Sequence, residues 1–254
     1  MGYLLGEMTW DECGETLKTV DFVVLPTGAM EQHSIHLPLL VDSIRAENLC
    51  SRLAEKAKEH GLHIIVLPTL YYGFSEHHFP FTGTISLKPD TYERVLEDIG
   101  WSLQQHGVKR FLIMNFHGGN IEPIRVAILR MQRDLKLKIH FIHWTSYASD
   151  LIDEYAKLKR GDQWDKPKWG HACEHETSMT LLFRPDLVKI DKIQKPNMKP
   201  TPQTRGFMRM EEMTDTGGTG DPRISSVDFA RELVEKVTLR IIETLKADLK
   251  LEQE

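Results

Sequence analysis

The sequence predicts an α/β domain whose central sheet is largely parallel. Four short apolar runs have the composition of buried strands, at residues 22–28, 64–70, 110–116 and 138–144. Stretches with helical spacing of apolar residues separate these runs, as expected when each strand feeds a crossover helix. The chain has 254 residues, of which 41% are hydrophobic, so it can bury a sizeable core. We expect one domain over residues 1–254.

Helical patterns are clearest over 89–106, where Pro89 occupies the first turn and apolar residues recur at helical spacing. Similar patterns over 43–59 and 121–135 predict two further crossover helices. A last helix is predicted over about 225–249, with apolar residues four apart that should pack on the sheet.

The segment 196–222 breaks this alternation, because it repeats Pro, Gly and Thr without a sustained period. Loops of this length are usually functional or disordered. Phe207, Met208, Met210 and Met213 are apolar side chains that we expect to be covered by other parts of the protein or by a partner. We therefore expect a lid or an intersubunit loop here rather than a disordered segment.

Composition excludes several classes of protein. A net charge of −5 gives no basic field to attract a phosphate backbone, so we expect no nucleic-acid partner. We expect no membrane association and a cytoplasmic location, since no export-type segment and no apolar run of about 18 residues occurs. The cysteines Cys13, Cys50 and Cys173 form no C-x-x-C pair, which argues against a disulfide framework or a thiolate zinc site.

Polar clusters follow the predicted strands. In parallel sheets, ligands bind beyond the carboxyl ends of the strands. The residues that follow each predicted strand are therefore the candidate functional residues. The clusters comprise Glu31, Gln32, His33, His36 and Asp42, then Ser75, Glu76, His77 and His78, then His117, Gly118, Gly119 and Asn120, and finally His171, Cys173, Glu174, His175 and Glu176.

Carboxylates and imidazoles together favour zinc, manganese or iron over magnesium or calcium. Glu31 and His33 are two residues apart on a predicted extended segment, so they point to the same side. Asp42 can return to them across a loop. A carboxylate that bridges two cations allows one water to be shared and activated. The pattern therefore predicts a catalytic metal site.

Structural alternatives stay open for two clusters. His117 to Asn120 can be a strand-to-helix turn in which Asn120 is the N-cap, and this is compatible with a ligand role for His117. Glu174 and Glu176 can be first-turn carboxylates favoured by a helix dipole. For Glu176 this interpretation and a functional one have equal support.

Five blocks between about residues 20 and 240 resemble, in the same order, those of the creatininase or creatinine amidohydrolase family. They read PTGAMEQHSIHLPLLVD, GFSEHHFPFTGTISL, NFHGGN, HACEHETS and TGDPRISS. The resemblance implies a three-layer α/β/α sandwich with a mostly parallel central sheet, a homo-oligomer that is often a hexamer, and a small-molecule substrate. It also implies two divalent metal ions per chain, Zn²⁺ and/or Mn²⁺, with Fe²⁺ as a further option.

Carried over by position, the resemblance implies that Glu31, Asp42 and His117 bind one metal. His33 and Asp42 then bind the other, so that Asp42 is the bridge. His171 matches a catalytic histidine that handles protons or substrate. Ser75 lies in a block that lines the substrate pocket.

His78 and Gly118 are further predicted substrate-binding residues, from the same blocks as Ser75 and His117. One departure from the family pattern concerns the second metal: the family's namesake enzyme completes it with a glutamate where this chain has Gly119. We expect Glu174 to fill that coordination place, or to act as an alternative proton donor. Gly119 also argues against creatinine as the substrate.

The predicted function is that of a binuclear metal-dependent hydrolase in which a metal-bridged hydroxide attacks a carbonyl. The leading substrate class is a small cyclic or linear amide, cleaved at its C–N bond. The alternatives are a C–C hydrolase that opens a cyclic keto-polyol such as an inosose, and a peptide-trimming enzyme. A non-catalytic metal- or ligand-binding protein is the alternative from a different class.

Overall fold

The computed structural model describes residues 2–161, 170–202 and 204–252. Within them, four parallel strands form one sheet in the order β2-β1-β3-β4. The strands are β1 (Phe22–Thr27), β2 (Ile64–Val66), β3 (Arg110–Asn115) and β4 (Lys138–His143).

Helices connect and cover the strands. They are α1 (Trp10–Thr16), α2 (Val41–Glu59), α3 (Pro89–Gln105), α4 (Ile121–Asp134), α5 (Ser149–Arg160), α6 (Glu174–Phe183), α7 (Met210–Met213) and α8 (Val227–Leu251). Short 3₁₀ turns, including one over Gly118–Asn120, lie between them.

The two faces of the sheet carry separate apolar cores, because successive side chains of a strand point to opposite faces. Phe22 and Val24 belong to a core shared with α2, α6 and α8. Val23 and Leu25 belong to a core shared with α3 and α4. This confirms the predicted three-layer α/β/α sandwich and explains why β1 reads as a continuous apolar run, since it is buried on both faces.

All four predicted strands and all four predicted helices are present. Their ends agree with the predictions to within two residues, except that β2 stops at Val66 instead of residue 70. Pro68 has no N–H to continue the ladder, although Leu67 and Leu70 still donate to carbonyls of β1. The helix α6 has no apolar stripe, because its first turns bury polar residues. The sequence indicated it only through the alternative interpretation of Glu174 and Glu176 as first-turn carboxylates, and both residues lie in its first turn.

The segment predicted as a lid or intersubunit loop is partly packed on the molecule. Its described residues, 196–202 and 204–222, contain the one-turn helix α7 and a bridge between Met198 and Thr214. Thr219 and Asp221 are buried, whereas Phe207 is 53% exposed. Its role as a lid or intersubunit contact stays a prediction.

The order of the strands places the site. From β1 the chain moves to β2 on one side of it, and β3 then pairs with its other side. The carboxyl ends of β1 and β3 thus flank the point at which the winding direction reverses, where α/β sheets bind ligands. None of the helices in the described ranges is long and apolar enough to cross a membrane.

Candidate metal centre

The loop after β1 presents its polar side chains inward. Glu31 is fully buried, and its N–H donates to the carbonyl of Leu39 at 3.0 Å. Ser34 lies in the left-handed region with φ 58°, and its N–H donates to the side chain of Gln32 at 2.8 Å. The loop therefore turns back on itself, and Glu31 and His33 reach the same buried space.

Asp42 lies in the first turn of α2, where the helix dipole favours a negative charge. Its Oδ2 is 3.2 Å from Nδ1 of His117, and its Oδ1 is 3.4 Å from Nε2 of His33. Asp42 is thus the carboxylate that contacts both histidines. The structure brings together the four residues Glu31, His33, Asp42 and His117 that the sequence proposed as ligands.

Hydrogen bonds to the outer nitrogens orient both histidines. Nε2 of His117 donates to the carbonyl of Phe74 at 2.9 Å, which leaves Nδ1 facing Glu31 and Asp42. Nδ1 of His33 donates to the carbonyl of Glu31 at 3.2 Å, which leaves Nε2 facing Asp42. Histidines that bind metals are held in this way, with the second ring nitrogen on a carbonyl or carboxylate.

Four three-residue groups in the described chain have ligand atoms close enough to hold one ion each. Two of them contain Asp42: Glu31, Asp42 and His117, and His33, Asp42 and Glu176. The other two contain Glu31 with histidines, either His77 and His78 or His33 and His171. Among the described residues, both carboxylate oxygens of Glu31, Nε2 of His33 and Oδ2 of Asp42 are buried without a hydrogen-bond partner of ordinary geometry. Such atoms are costly unless something binds them, so this donor set fits a pair of divalent cations.

The second group is completed by Glu176, and Glu174 is not part of it. Oε2 of Glu176 is 3.7 Å from Nε2 of His33 and accepts the N–H of Ala172. Ala172 has a φ of 49°, in the left-handed region that residues with a Cβ rarely adopt. That strained turn directs the Glu176 carboxylate to the cluster.

Glu174 points to a different place. Its Oε2 accepts the N–H of Asp221 at 2.9 Å and lies 3.4 Å from Nη2 of Arg160. None of the candidate ligand groups among the described residues includes Glu174. This geometry departs from the expectation that Glu174 is a ligand and proton donor, because its carboxylate is used to fasten the loop that ends at Asp221.

His171 lies beside the cluster, as the sequence predicted for a catalytic histidine. Its Nε2 donates to the carbonyl of Gln32 at 2.7 Å, and its Nδ1 is 3.7 Å from Oε1 of Glu31. Burial, together with the charge of His33, lowers the pKa of His171. In the neutral ring, the unprotonated Nδ1 therefore faces the carboxylate of Glu31.

The three predicted substrate residues occupy different environments. Ser75 is fully buried, with its hydroxyl 3.3 Å from Nε2 of His117, so it braces that ring. His78 is also buried, with Nε2 3.3 Å from Glu31. Gly118 is exposed, and a Cβ at this position would meet no other atom. There is thus room for a ligand beside Gly118, whereas the Ser75 side chain contacts another residue of the protein.

Gln32 and His77 belong to the polar clusters found in the sequence, which assigned neither of them a role in the site. The Gln32 amide nitrogen lies 2.7 Å from Nδ1 of His78 and 3.0 Å from the carbonyl of Gly217. The His77 ring stacks on His117, with centroids 5.6 Å apart. Burial, with the charge of His117, lowers the pKa of His77 to about 4. The histidine pair was visible in the sequence, but its partners come from distant segments.

Gly119 occupies a position that has no room for a side chain. A Cβ there would overlap the carbonyl oxygen of Phe74 and Nε2 of His117. A glutamate at 119 thus has no space in this packing, and Glu176 supplies a carboxylate from another direction.

The cluster also contains a buried arginine. Arg45 is 1% exposed, and its Nη2 contacts Oδ1 of Asp42 and lies 2.7 Å from Oε1 of Glu176. Burial opposes ionisation of Asp42, but His33, His117 and Arg45 outweigh it and hold the pKa of Asp42 well below its ordinary value. The spacing of three residues between Asp42 and Arg45 on one helix was a signal that could have revealed this pair.

Comparisons with known proteins show what the whole chain is similar to. The creatininase family model, described as creatinine amidohydrolase, matches residues 6–245. A creatinine amidohydrolase of Pseudomonas putida is 30% identical over 205 residues, covering 74% of this chain and 75% of that protein. A mycofactocin precursor peptide peptidase of Mycolicibacterium smegmatis is 30% identical, covering 80% and 75%. A 3-dehydro-scyllo-inosose hydrolase of Thermotoga maritima is 23% identical, covering 74% and 58%.

Solved creatininase structures share the fold. A manganese form is 24% identical with a TM-score of 0.83, covering 98% of this chain and 99% of that one. A zinc–zinc form of a variant is 25% identical with a TM-score of 0.81, covering 98% of both chains. The fold is therefore shared over nearly the whole chain.

Proposed function

Because this chain belongs to the creatininase family, we propose that it is a metal-dependent hydrolase with two divalent ions bound around Asp42. The observation that carries the proposal is the pair of ligand groups that share Asp42. Glu31, Asp42 and His117 would hold one ion, and His33, Asp42 and Glu176 would hold the other. Zinc and manganese suit this donor set, and iron is compatible with it.

Two such ions, when bound, supply the activation of a water molecule and the polarisation of a substrate carbonyl. The residues of the chain provide the rest of the chemistry. His171 turns Nδ1 towards Glu31, so a neutral His171 can accept a proton there and deliver it to a leaving group. Gln32 lies 3.1 Å from Nε2 of His171 and is itself fixed by His78 and Gly217, so these residues hold the His171 ring in place.

The proposed substrate is a small cyclic or linear amide, cleaved at its C–N bond. Support comes from the relatives named as amidohydrolase and peptidase. Creatinine itself is not proposed, since Gly119 and its crowded surroundings alter the carboxylate set. His78 and Gly118 are the proposed substrate contacts, and we propose that Ser75 supports His117.

A second candidate is the ring opening of a cyclic keto-polyol at a C–C bond. Three histidines beyond the proposed ligands, His77, His78 and His171, surround Glu31 and offer hydrogen bonds suited to a hydroxylated ring. The inosose hydrolase relative supports the same idea. A cytoplasmic location and a homo-oligomer, with a hexamer as the expected form, stay predictions.

One experiment tests the proposal and separates the candidates. Protein loaded with zinc or manganese is assayed against panels of cyclic amides, linear amides, short peptides and inososes, with Asp42→Asn as the inactive control. We expect turnover in one panel, at a rate that Asp42→Asn lowers at least 1,000-fold. Fewer than one metal ion per chain under metal-replete conditions would overturn the proposal.

A further inference from the structure

We infer that Arg45 is a built-in counter-cation for the group of His33, Asp42 and Glu176, and that it makes the second metal position the weaker one. The inference rests on the proposed function, because it concerns the same ligand groups. Arg45 is not a metal ligand, and its charge should make the metal affinities of the two ligand groups unequal.

Arg45 is held on several sides. The nitrogen Nη2 contacts Asp42, lies 2.7 Å from Oε1 of Glu176, and donates to the carbonyl of Phe116 at 3.2 Å. Its guanidinium carbon lies 5.3 Å from the centroid of the Trp144 ring. Because the side chain is buried and restrained, Arg45 cannot swing into solvent when a cation approaches its two carboxylates.

The two ligand groups differ in whether a positively charged side chain already neutralises the glutamate carboxylate. Both oxygens of Glu176 are engaged, Oε1 by Arg45 and Oε2 by the N–H of Ala172. Glu31 forms its close contacts with imidazoles, and among the described residues no lysine or arginine forms an ion pair with it. The first group therefore offers a carboxylate without a counter-cation, and the second offers one already paired.

Coulomb repulsion between Arg45 and a bound cation should make the two ligand groups differ in metal affinity. A divalent ion beside His33, Asp42 and Glu176 must share two carboxylates with a fixed positive charge, whose effect is strong at a buried position. Without the ion, the same positive charge compensates two carboxylates that would otherwise be buried and unpaired. Arg45 thus stabilises the metal-free protein and weakens the binding of the second metal.

The wild-type protein provides the first test. Zinc or manganese is titrated into chelator-treated protein, and the stepwise dissociation constants are measured by calorimetry with a competing chelator. We expect two steps, the second at least tenfold weaker, and Glu176→Gln should remove the weaker one. Two equal steps, or loss of the tighter step in Glu176→Gln, would overturn the role of Arg45 and leave the proposed function standing. Absence of both steps would overturn the proposed function itself.

Variants of Arg45 provide the second test. Arg45→Met removes the charge while keeping an unbranched side chain, Arg45→Lys keeps the charge, and Arg52→Met is a matched control on the exposed part of α2. We expect Arg45→Met to tighten the second step at least tenfold and the first less than threefold. Arg45→Lys and Arg52→Met should behave like the wild type.

Thermal unfolding gives a readout that is independent of activity. Metal-free Arg45→Met should unfold at a lower temperature than the wild type, and saturating metal should remove the difference. An unchanged or weakened second step in Arg45→Met would contradict the inference. If Arg45→Met does not fold without metal, the ratio of the two steps in the wild-type protein decides the question.

Discussion

The loop from Glu31 to Asp42 and the segment from Gly170 to Glu176 both place acidic and imidazole side chains at the candidate metal centre. In the first, Glu31, His33 and Asp42 all reach the cluster. In the second, neighbouring carboxylates diverge, because Glu174 fastens Asp221 while Glu176 reaches His33. In the extended loop, the spacing of the residues therefore predicted correctly which side chains point to the cluster. At the start of a helix, the caps and partners determine which carboxylate points where.

The largest expected effect is that of Asp42→Asn, because Asp42 is shared by both ligand groups. We expect loss of both metal ions and a fall in kcat of at least 1,000-fold, since the water is no longer activated. Metal analysis by plasma mass spectrometry and steady-state kinetics measure these two effects. Retention of one ion at full occupancy would contradict the shared role of Asp42.

A paired substitution separates the two neighbouring carboxylates. Glu176→Gln should lose one metal ion and lower kcat by about 100-fold, as expected for a ligand of one ion. Glu174→Gln should retain both ions, because its carboxylate contacts Asp221 and Arg160 instead. Its effect should be a rise in KM of about tenfold, through loosening of the loop that ends at Asp221. The reverse pattern of metal loss would restore Glu174 as the ligand.

Gly119→Ala tests the crowding around Gly119 in the turn after β3. The added Cβ overlaps Phe74 and His117, so we expect a loss of about 2 kcal/mol in the free energy of unfolding, typical of overpacking. Gly118→Ala is the matched control, since its Cβ meets no neighbour and the change should be below about 0.5 kcal/mol. Urea denaturation of the metal-free proteins measures the change in unfolding free energy for both variants. Equal changes would contradict the tight packing around Gly119.

The last expected effect is confined to acidic pH and concerns His143 at the end of β4. Burial, together with the charge of Arg45, lowers the pKa of His143 to about 4 from its ordinary value of 6.5. The unfolded chain therefore binds a proton between pH 6.5 and 4 that the folded protein does not, so stability falls as the pH is lowered through this window.

His143→Gln should remove this contribution. We expect the slope of unfolding free energy against pH in this window to decrease by about 1.4 kcal/mol per pH unit, the equivalent of one proton. Urea denaturation of the metal-free protein at a series of pH values measures the slope. An unchanged slope would mean that His143 titrates in the folded protein as it does in the unfolded chain.

The sequence predicted the sheet and its crossover helices because buried parallel strands and amphipathic helices leave strong periodic patterns. Glu31, His33, Asp42 and His117 were also found, since each follows a strand end or begins a helix next to it. Arg45 was missed because it lies within a helix face that is otherwise core. The divergence of Glu174 and Glu176 depends on the left-handed Ala172 and on contacts with distant residues, which spacing alone does not encode.

Anomalous diffraction from crystals of the zinc- or manganese-loaded protein would locate the bound ions. We expect two peaks, one among Glu31, Asp42 and His117 and the other among His33, Asp42 and Glu176, with lower occupancy at the second when metal is limiting. A single peak at saturating metal, or a peak bound by the carboxylate of Glu174, would contradict a two-metal site centred on Asp42.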